Sequence, residues 1–164
     1  MTGESAVRNG AAPLPVGLVA VAPDIAANLG ALLRLGACLG APVHVVEPCG
    51  FPFSPRAWAR TAMDYAAHVE LCRHDSWARF LEGRPAGRLV ALSARAGTSL
   101  WAASFRPGDL LLLGSETAGL PETVRADADL ALRIPLRPGL RSLNIAVAGA
   151  IALAEAQRQT ATGP

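Results

Sequence analysis

Lysine is missing from this chain: all 15 basic residues are arginine, set against 13 acidic ones for a net charge of +2. Arginine forks match phosphate well, but codon bias produces the same usage, so the clustering of the arginines carries more weight than their number. Cysteine is scarce. Cys38, Cys49 and Cys72 are odd in number and never spaced C-x-x-C, which fits reduced thiols and argues against a disulfide framework or zinc. His44, His68 and His74 also lack metal-ligand spacing, so no metal is expected. No apolar run reaches the roughly 20 residues that span a bilayer; the longest candidate, 143–156, is interrupted by Asn144, Gly149 and Glu155. Residues 1–15 mix Gly, Ser, Ala and Pro without an apolar h-region, which reads as a flexible tail rather than a signal peptide. A cytoplasmic protein without a membrane partner is the expectation. Two motifs are absent as well. There is no G-x-G-x-x-G dinucleotide fingerprint, and the serine in GSETAG does not have the G-x-S-x-G spacing of a nucleophile elbow.

What is present is a chain that is 51% apolar over 164 residues, enough for one full core and too short for two. Apolar β-rich runs at 16–21, 43–46, 88–92, 110–113 and 130–134 alternate with helical patterns, the signature of a mostly parallel sheet covered on both faces. The spacing of Leu29, Leu32, Leu33, Leu35 and Leu39 predicts a helix over 28–39, with Asn28 as its N-cap and Gly40 just past its end. Asp75 is placed to cap a short helix through Leu81, and Pro121-Glu122 reads as another helix start. The domain boundaries expected are a tail at 1–15, one domain at 16–159 and a short tail at 160–164.

The chain is organised around 109–158, where two strands each empty into a glycine-rich loop and a long small-residue helix follows. Leu110–Leu113 is too short for a helix and breaks at Gly114, which fits a buried central strand. Ser115, Glu116 and Thr117 are thereby delivered to the carboxyl end of that strand, where open α/β sheets place their ligands. Taken alone, GSETAG is equally well an ordinary strand-to-helix connection with a capping hydroxyl. A second loop of the same kind follows the strand at 130–134 and carries Arg141, Ser142 and Asn144 into a helix start. Arg133, Arg137 and Arg141 crowd this loop, and Arg56 and Arg60 lie four apart on a probable helix, a stripe suited to a phosphate backbone.

GSETAGLP and RIPLRPGLRSLNIAVA resemble the second and third signature motifs of the SPOUT superfamily of S-adenosylmethionine-dependent RNA methyltransferases. Asn28 and Arg34, spaced N-x-x-x-x-x-R, resemble the first. The intervening EPCGFPFSPRAWARTAMDYAAH, with its Gly-Phe turn, basic pair and Asp64-Tyr65, resembles the branch that methylates the tRNA wobble position (the TrmL-like branch). The likeness covers 16–158. It implies a SPOUT fold with a C-terminal trefoil knot, where generic topology rules favour an unknotted sheet. Implied too are S-adenosylmethionine as cofactor, a homodimer, and 2'-O-methylation of the ribose of nucleotide 34, a cytidine or modified uridine, in the anticodon stem-loop of leucine tRNAs. A splayed loop nucleotide can present its 2'-hydroxyl as a duplex cannot.

Carried onto this sequence, the resemblance implies cofactor contacts at Leu92, Gly114, Ile134, Ser142 and Leu143. The reaction site is implied at Arg34, Asn28, Glu116 and Asn144, and RNA contacts are expected at Arg56, Arg60, Arg137 and Arg141. Arg34, as a guanidinium that stays protonated, is a poor base and suits a clamp on RNA phosphate or on the developing alkoxide. Glu116 is the candidate proton acceptor, oriented by Asn28 and Asn144. Three departures stand out: Ala26-Ala27-Asn28-Leu29-Gly30 replaces Pro-Pro-Asn-Thr-Gly, Ala146-Val147 replaces Ser-Asn, and Ala154 replaces the aromatic before Glu155. Two other readings remain beside wobble methylation: an RNA-binding module of this fold without turnover, and methylation at another tRNA or rRNA position.

Overall fold

The computed structural model describes residues 13–160; residues 1–12 and 161–164, most of both expected tails, lie outside the described residues. Within the described residues seven strands form one sheet: β1 Gly17–Val21, β2 Val43–Val46, β3 Leu71–His74, β4 Leu89–Leu92, β5 Thr98–Ser99, β6 Leu110–Leu113 and β7 Leu130–Arg133. Their order is β3-β2-β1-β6-β4-β7-β5, and every pairing is parallel. Among the described residues five α-helices accompany them: α1 Ala26–Leu39, α2 Pro55–Ala62, α3 Trp77–Gly83, α4 Glu122–Asp127 and α5 Ile145–Thr160.

Strand alternation splits the core in two. Leu18 and Ala20 of β1, with Leu111 and Leu113 of β6, face one side and pack with Leu29, Leu32 and Leu33 of α1 and Ala152, Leu153 and Ala156 of α5. Val19, Val21, Leu110 and Leu112 face the other side, where Phe80 of α3 and Val124 of α4 cover them. Burial on both faces is why β6 reads as an unbroken leucine run. Burying each such leucine is worth roughly 1.5–3 kcal/mol. α1 and α2 approach closely because Gly30 has no side chain: a Cβ there would fall 2.8 Å from the Trp58 carbonyl oxygen. At the amino-terminal edge, Asp109, only 1% exposed, takes both forks of Arg88 at 3.0 and 2.7 Å, tying the start of β4 to β6.

Several local expectations change. β3 and β5 were not expected. β3 lies at the sheet edge, half-buried, and its Leu-Cys-Arg-His sequence carries no apolar run; β5 has only two residues. α1 starts at Ala26, so Asn28 sits inside the first turn and not at the N-cap. Ser76, one residue later than Asp75, caps α3 by accepting the Arg79 N–H at 3.2 Å. α5 begins at Ile145, capped by the Asn144 carboxamide oxygen, which accepts from Ala146 N at 2.8 Å and Val147 N at 3.3 Å.

Candidate active site at the carboxyl ends of four parallel strands

After β1 the chain moves to one side, towards β2 and β3, while β6, β4 and β7 lie on the other. Such a reversal leaves a crevice beyond the strand ends, the usual ligand position in open α/β sheets. The loops leaving β6, β4 and β7 converge there with the first turn of α1 to enclose about 730 Å³. Leu92, Leu113, Leu120, Ile134 and Leu136 supply an apolar wall, and Asn28, Ser93, Glu116, Ser142 and Asn144 supply polar groups. Gly114 is required here by packing: a Cβ would lie 2.2 Å from Leu120 N, across the turn that Ser115 and Gly119 close by pairing their backbones.

One rim of the crevice is a line of hydrogen bonds between residues far apart in sequence. The Asn144 carboxamide donates to Asn28 Oδ1 at 2.8 Å, and Asn28 Nδ2 donates to Glu116 Oε1 at 2.8 Å. The other carboxylate oxygen of Glu116 accepts the backbone N–H of Asp24 at 2.7 Å. Asp24 answers through its own carboxylate, whose Oδ2 accepts the Thr117 backbone N–H at 3.2 Å and the Thr117 hydroxyl. The Thr117 hydroxyl beside Asp24, helped by the Thr117 backbone N–H, holds the carboxyl of Asp24 below its ordinary value. Each amide in this line has a single consistent orientation, because the Asn144 oxygen is committed to capping α5 and the Asn28 nitrogen to Glu116.

The structure gathers Asn28, Glu116, Asn144, Leu92, Gly114, Ile134, Ser142, Leu143 and Arg141 around the one crevice. Arg34 is not among them. Six residues along α1 from Asn28, it points to another face of the helix and borders a shallow apolar groove formed by α1 and α5 with Leu35, Cys38, Val147 and Ala150. Arg56 and Arg60 are exposed on α2, and Arg137 is exposed on the loop after β7, outside the crevice lining. Arg133 does not join the basic cluster: its guanidinium donates to the carbonyls of Ala96 and Gly97 at 3.1 and 2.6 Å, bracing the loop after β4.

Asp24 was passed over in the sequence as a turn residue, while Thr117 was placed at the strand end without a partner. The usable signal was position: Asp24 follows β1 and Thr117 follows β6, and strand ends that neighbour each other put their loops in contact. His44 and His74 also meet, Nδ1 to Nε2 at 3.0 Å on β2 and β3, away from the crevice. Among the described residues no three His, Cys, Asp or Glu side chains are grouped to hold a metal ion.

Sheet, switch point and crevice define an α/β protein with a crevice of small-molecule size at its strand ends. The SpoU rRNA Methylase family model matches residues 15–154, and the chain belongs to that family. It is 50% identical over 139 residues, 84% of this chain and 87% of the other, to the tRNA (cytidine(34)-2'-O)-methyltransferase of Beijerinckia indica subsp. indica. A solved structure giving insights into the 2-OH methylation of C/U34 on tRNA superposes with a TM-score of 0.85 at 46% identity, covering 90% of this chain and 97% of that one. The SpoU methyltransferase AviRb from Streptomyces viridochromogenes, in complex with AdoMet, gives 0.79 at 27% identity, covering 100% and 64%.

Proposed function

We propose that this protein is an S-adenosylmethionine-dependent methyltransferase acting on the ribose 2'-hydroxyl of nucleotide 34 in tRNA, a cytidine or modified uridine of leucine tRNAs. The observation that carries the reading is the fixed line Asn144–Asn28–Glu116 at the mouth of a crevice suited to the cofactor, in a chain half identical to a wobble-position methyltransferase. The crevice fits S-adenosylmethionine: its volume of about 730 Å³ lies within the range of small-molecule sites, and its apolar wall with a few converging polar groups is their usual lining. Leu92, Ile134 and Leu143 would flank the adenine, while Gly114 and Ser142 would hydrogen-bond through loop backbone. The bound cofactor supplies an electrophilic methyl group.

The chain's own task is to align a hydroxyl with that methyl and to manage one proton. Glu116 accepts one hydrogen bond on each carboxylate oxygen, which leaves a lone pair on each for the substrate hydroxyl. Asn28 and Asn144 orient it. Arg141, at the crevice, and Arg137, Arg56 and Arg60, outside it, present exposed guanidinium groups for the anticodon-loop phosphates. Arg34, which lies outside the crevice of its own chain, is assigned to an RNA phosphate rather than to the developing alkoxide.

The same proposal takes residues 16–159 as one catalytic domain with its C-terminal segment tucked as a trefoil knot, working in the cytoplasm as a homodimer. Supporting the dimer is the apolar face of α1 and α5, where Val147 is 47% exposed and Arg34 sits at the edge. No helix among the described residues is long and apolar enough to cross a membrane. The deciding experiment is methyl transfer from labelled S-adenosylmethionine to bulk tRNA, with nuclease digestion and mass mapping. A 2'-O-methyl pyrimidine at position 34 is expected. Label elsewhere would move the substrate assignment, and cofactor binding without label would favour an RNA-binding module. A monomeric mass by light scattering at micromolar concentration would overturn the dimer.

A further inference from the structure

Arg34 has a setting unlike that of the other arginines among the described residues. Its guanidinium carbon lies 4.8 Å from the centroid of the Tyr65 ring, and one Nη donates to the Met63 sulfur at 3.4 Å. Among the described residues no carboxylate lies within ion-pair distance of it. Arg73 makes the useful contrast: it sits over Phe53 at the same 4.8 Å but is also neutralised by Glu47. A ring face and a thioether hold a cation without consuming its charge, and sulfur is a weak acceptor. Of five N–H donors, Arg34 therefore keeps most for an incoming anion.

The backbone is bent to make this shelf. Met63 ends α2 with φ 52 and ψ −138, a left-handed φ in a residue with a side chain, while its N–H still caps the helix at the Ala59 carbonyl. Met63 is 57% exposed, so burial of its side chain does not account for the strain. The turn leads into the 3-10 helix Met63–His68, which brings Tyr65 under the guanidinium. Strained, exposed backbone that serves one contact points to a use for that contact.

We propose that Tyr65, with Met63, is a positioning residue that presents the unpaired guanidinium of Arg34 to the RNA. This rests on the reading that Arg34 serves methyl transfer. Tyr65 does not line the crevice; it fixes where the Arg34 charge stands before RNA arrives, so the cation need not be ordered at the moment of reaction.

The test combines a spectrum with kinetics on the full chain. In an arginine side-chain 1H–15N spectrum, the Arg34 signal, assigned by its loss in Arg34→Lys, should be shifted upfield by the ring in wild type and in Tyr65→Phe, and should return to the bulk arginine position in Tyr65→Leu. With tRNA and S-adenosylmethionine, Tyr65→Leu should lower kcat roughly tenfold with the KM for cofactor unchanged, and Tyr65→Phe should keep most of the turnover. Added to Arg34→Ala, Tyr65→Leu should cost nothing more. An unshifted Arg34 signal in wild type, normal kcat in Tyr65→Leu, or an undiminished loss in the Arg34→Ala background would each overturn the proposal. A wild-type chain that binds S-adenosylmethionine yet methylates no tRNA would instead sink the parent reading, while the spectrum would still decide whether Tyr65 holds the guanidinium.

Discussion

The two rims of the crevice are made of similar material, glycine-bracketed loops leaving parallel strands, but they are held in different ways. On the rim formed by 24–28 and 115–117, every polar side chain has a protein partner, from Asn144 through Asn28 and Glu116 to Asp24 and Thr117. On the rim formed by 137–143, a backbone turn from Leu140 N to the Arg137 carbonyl at 3.2 Å is the internal bond, and Arg137, Leu140 and Arg141 stand exposed. A network that is fully paired before substrate arrives can aim one carboxylate without reorganisation. Exposed arginines on a loose turn can instead adapt to a backbone of variable path. Fixed chemistry on one side and adaptable grip on the other is the division of labour this difference implies.

Breaking the fixed rim should have the largest effect. Glu116→Gln replaces one acceptor oxygen with an NH₂ group, which must then face either the Asp24 N–H or the Asn28 Nδ2–H, donor against donor. With saturating tRNA and cofactor, kcat should fall by on the order of 10²-fold, while the KM for tRNA changes little. An unchanged kcat and an unchanged pH profile would make Glu116 a structural group only.

The adaptable rim should respond in the opposite sense. Arg137→Ala with Arg141→Ala should raise the KM for tRNA by about tenfold, reduce the salt dependence of binding by about two phosphate contacts, and leave kcat near wild type. A loss in kcat at saturating tRNA would show that the two rims are not separable. A smaller effect is expected at the clasp behind the fixed rim. Asp24→Asn keeps the backbone N–H to Glu116 and a neutral acceptor for Thr117 but weakens the bonds there, so a few-fold fall in kcat/KM is expected, of the size of one ordinary hydrogen bond of about 1 kcal/mol. Asp24→Glu should not restore it if the reach to Thr117 matters.

Much of this contrast was legible in the sequence. The buried strands announced themselves as apolar runs, and Gly114, Ser142 and Asn144 were placed at strand ends by turn chemistry alone. What failed was local and tertiary. Asn28 looked like a cap because asparagine before a leucine-rich helix usually is one, yet its amide is claimed by Glu116 and Asn144, 88 and 116 residues away, a competition no window of sequence reveals. β3 was missed because an edge strand need not alternate, and Arg133 was grouped with its basic neighbours because charge patterning cannot say which guanidinium turns inward to two carbonyls. The separation of Arg34 from Asn28 follows from helix geometry and could have been read: six residues is not a whole number of turns.

The last prediction is a control on the comparison, because it concerns a polar pair remote from both rims. His44, buried on β2 against Phe80 at 5.7 Å between ring centroids, meets His74 at 3.0 Å and has its Nε2 buried without a partner. An orphaned acceptor costs less than an orphaned donor, which favours the tautomer with the proton on Nδ1, donated to His74. Burial, reinforced by the neighbouring His74, pushes the His44 pKa from 6.5 down to about 4; His74 is also lowered by burial, opposed by Asp75. The unfolded chain therefore binds a proton that the fold refuses. Stability contributed by neutral His44 is complete above about pH 6.5 and is lost as pH falls towards 4, by on the order of 2 kcal/mol after allowance for solvent near His74. His44→Phe keeps an aromatic ring against Phe80 and removes the titration, so urea unfolding at pH 4.5 and pH 7.5 should show a smaller difference than in wild type. kcat at pH 7.5 should be unchanged. If His44→Phe instead alters turnover while leaving the pH dependence of stability intact, the sheet edge is coupled to the crevice, and the fixed rim is not fixed by its own hydrogen bonds alone.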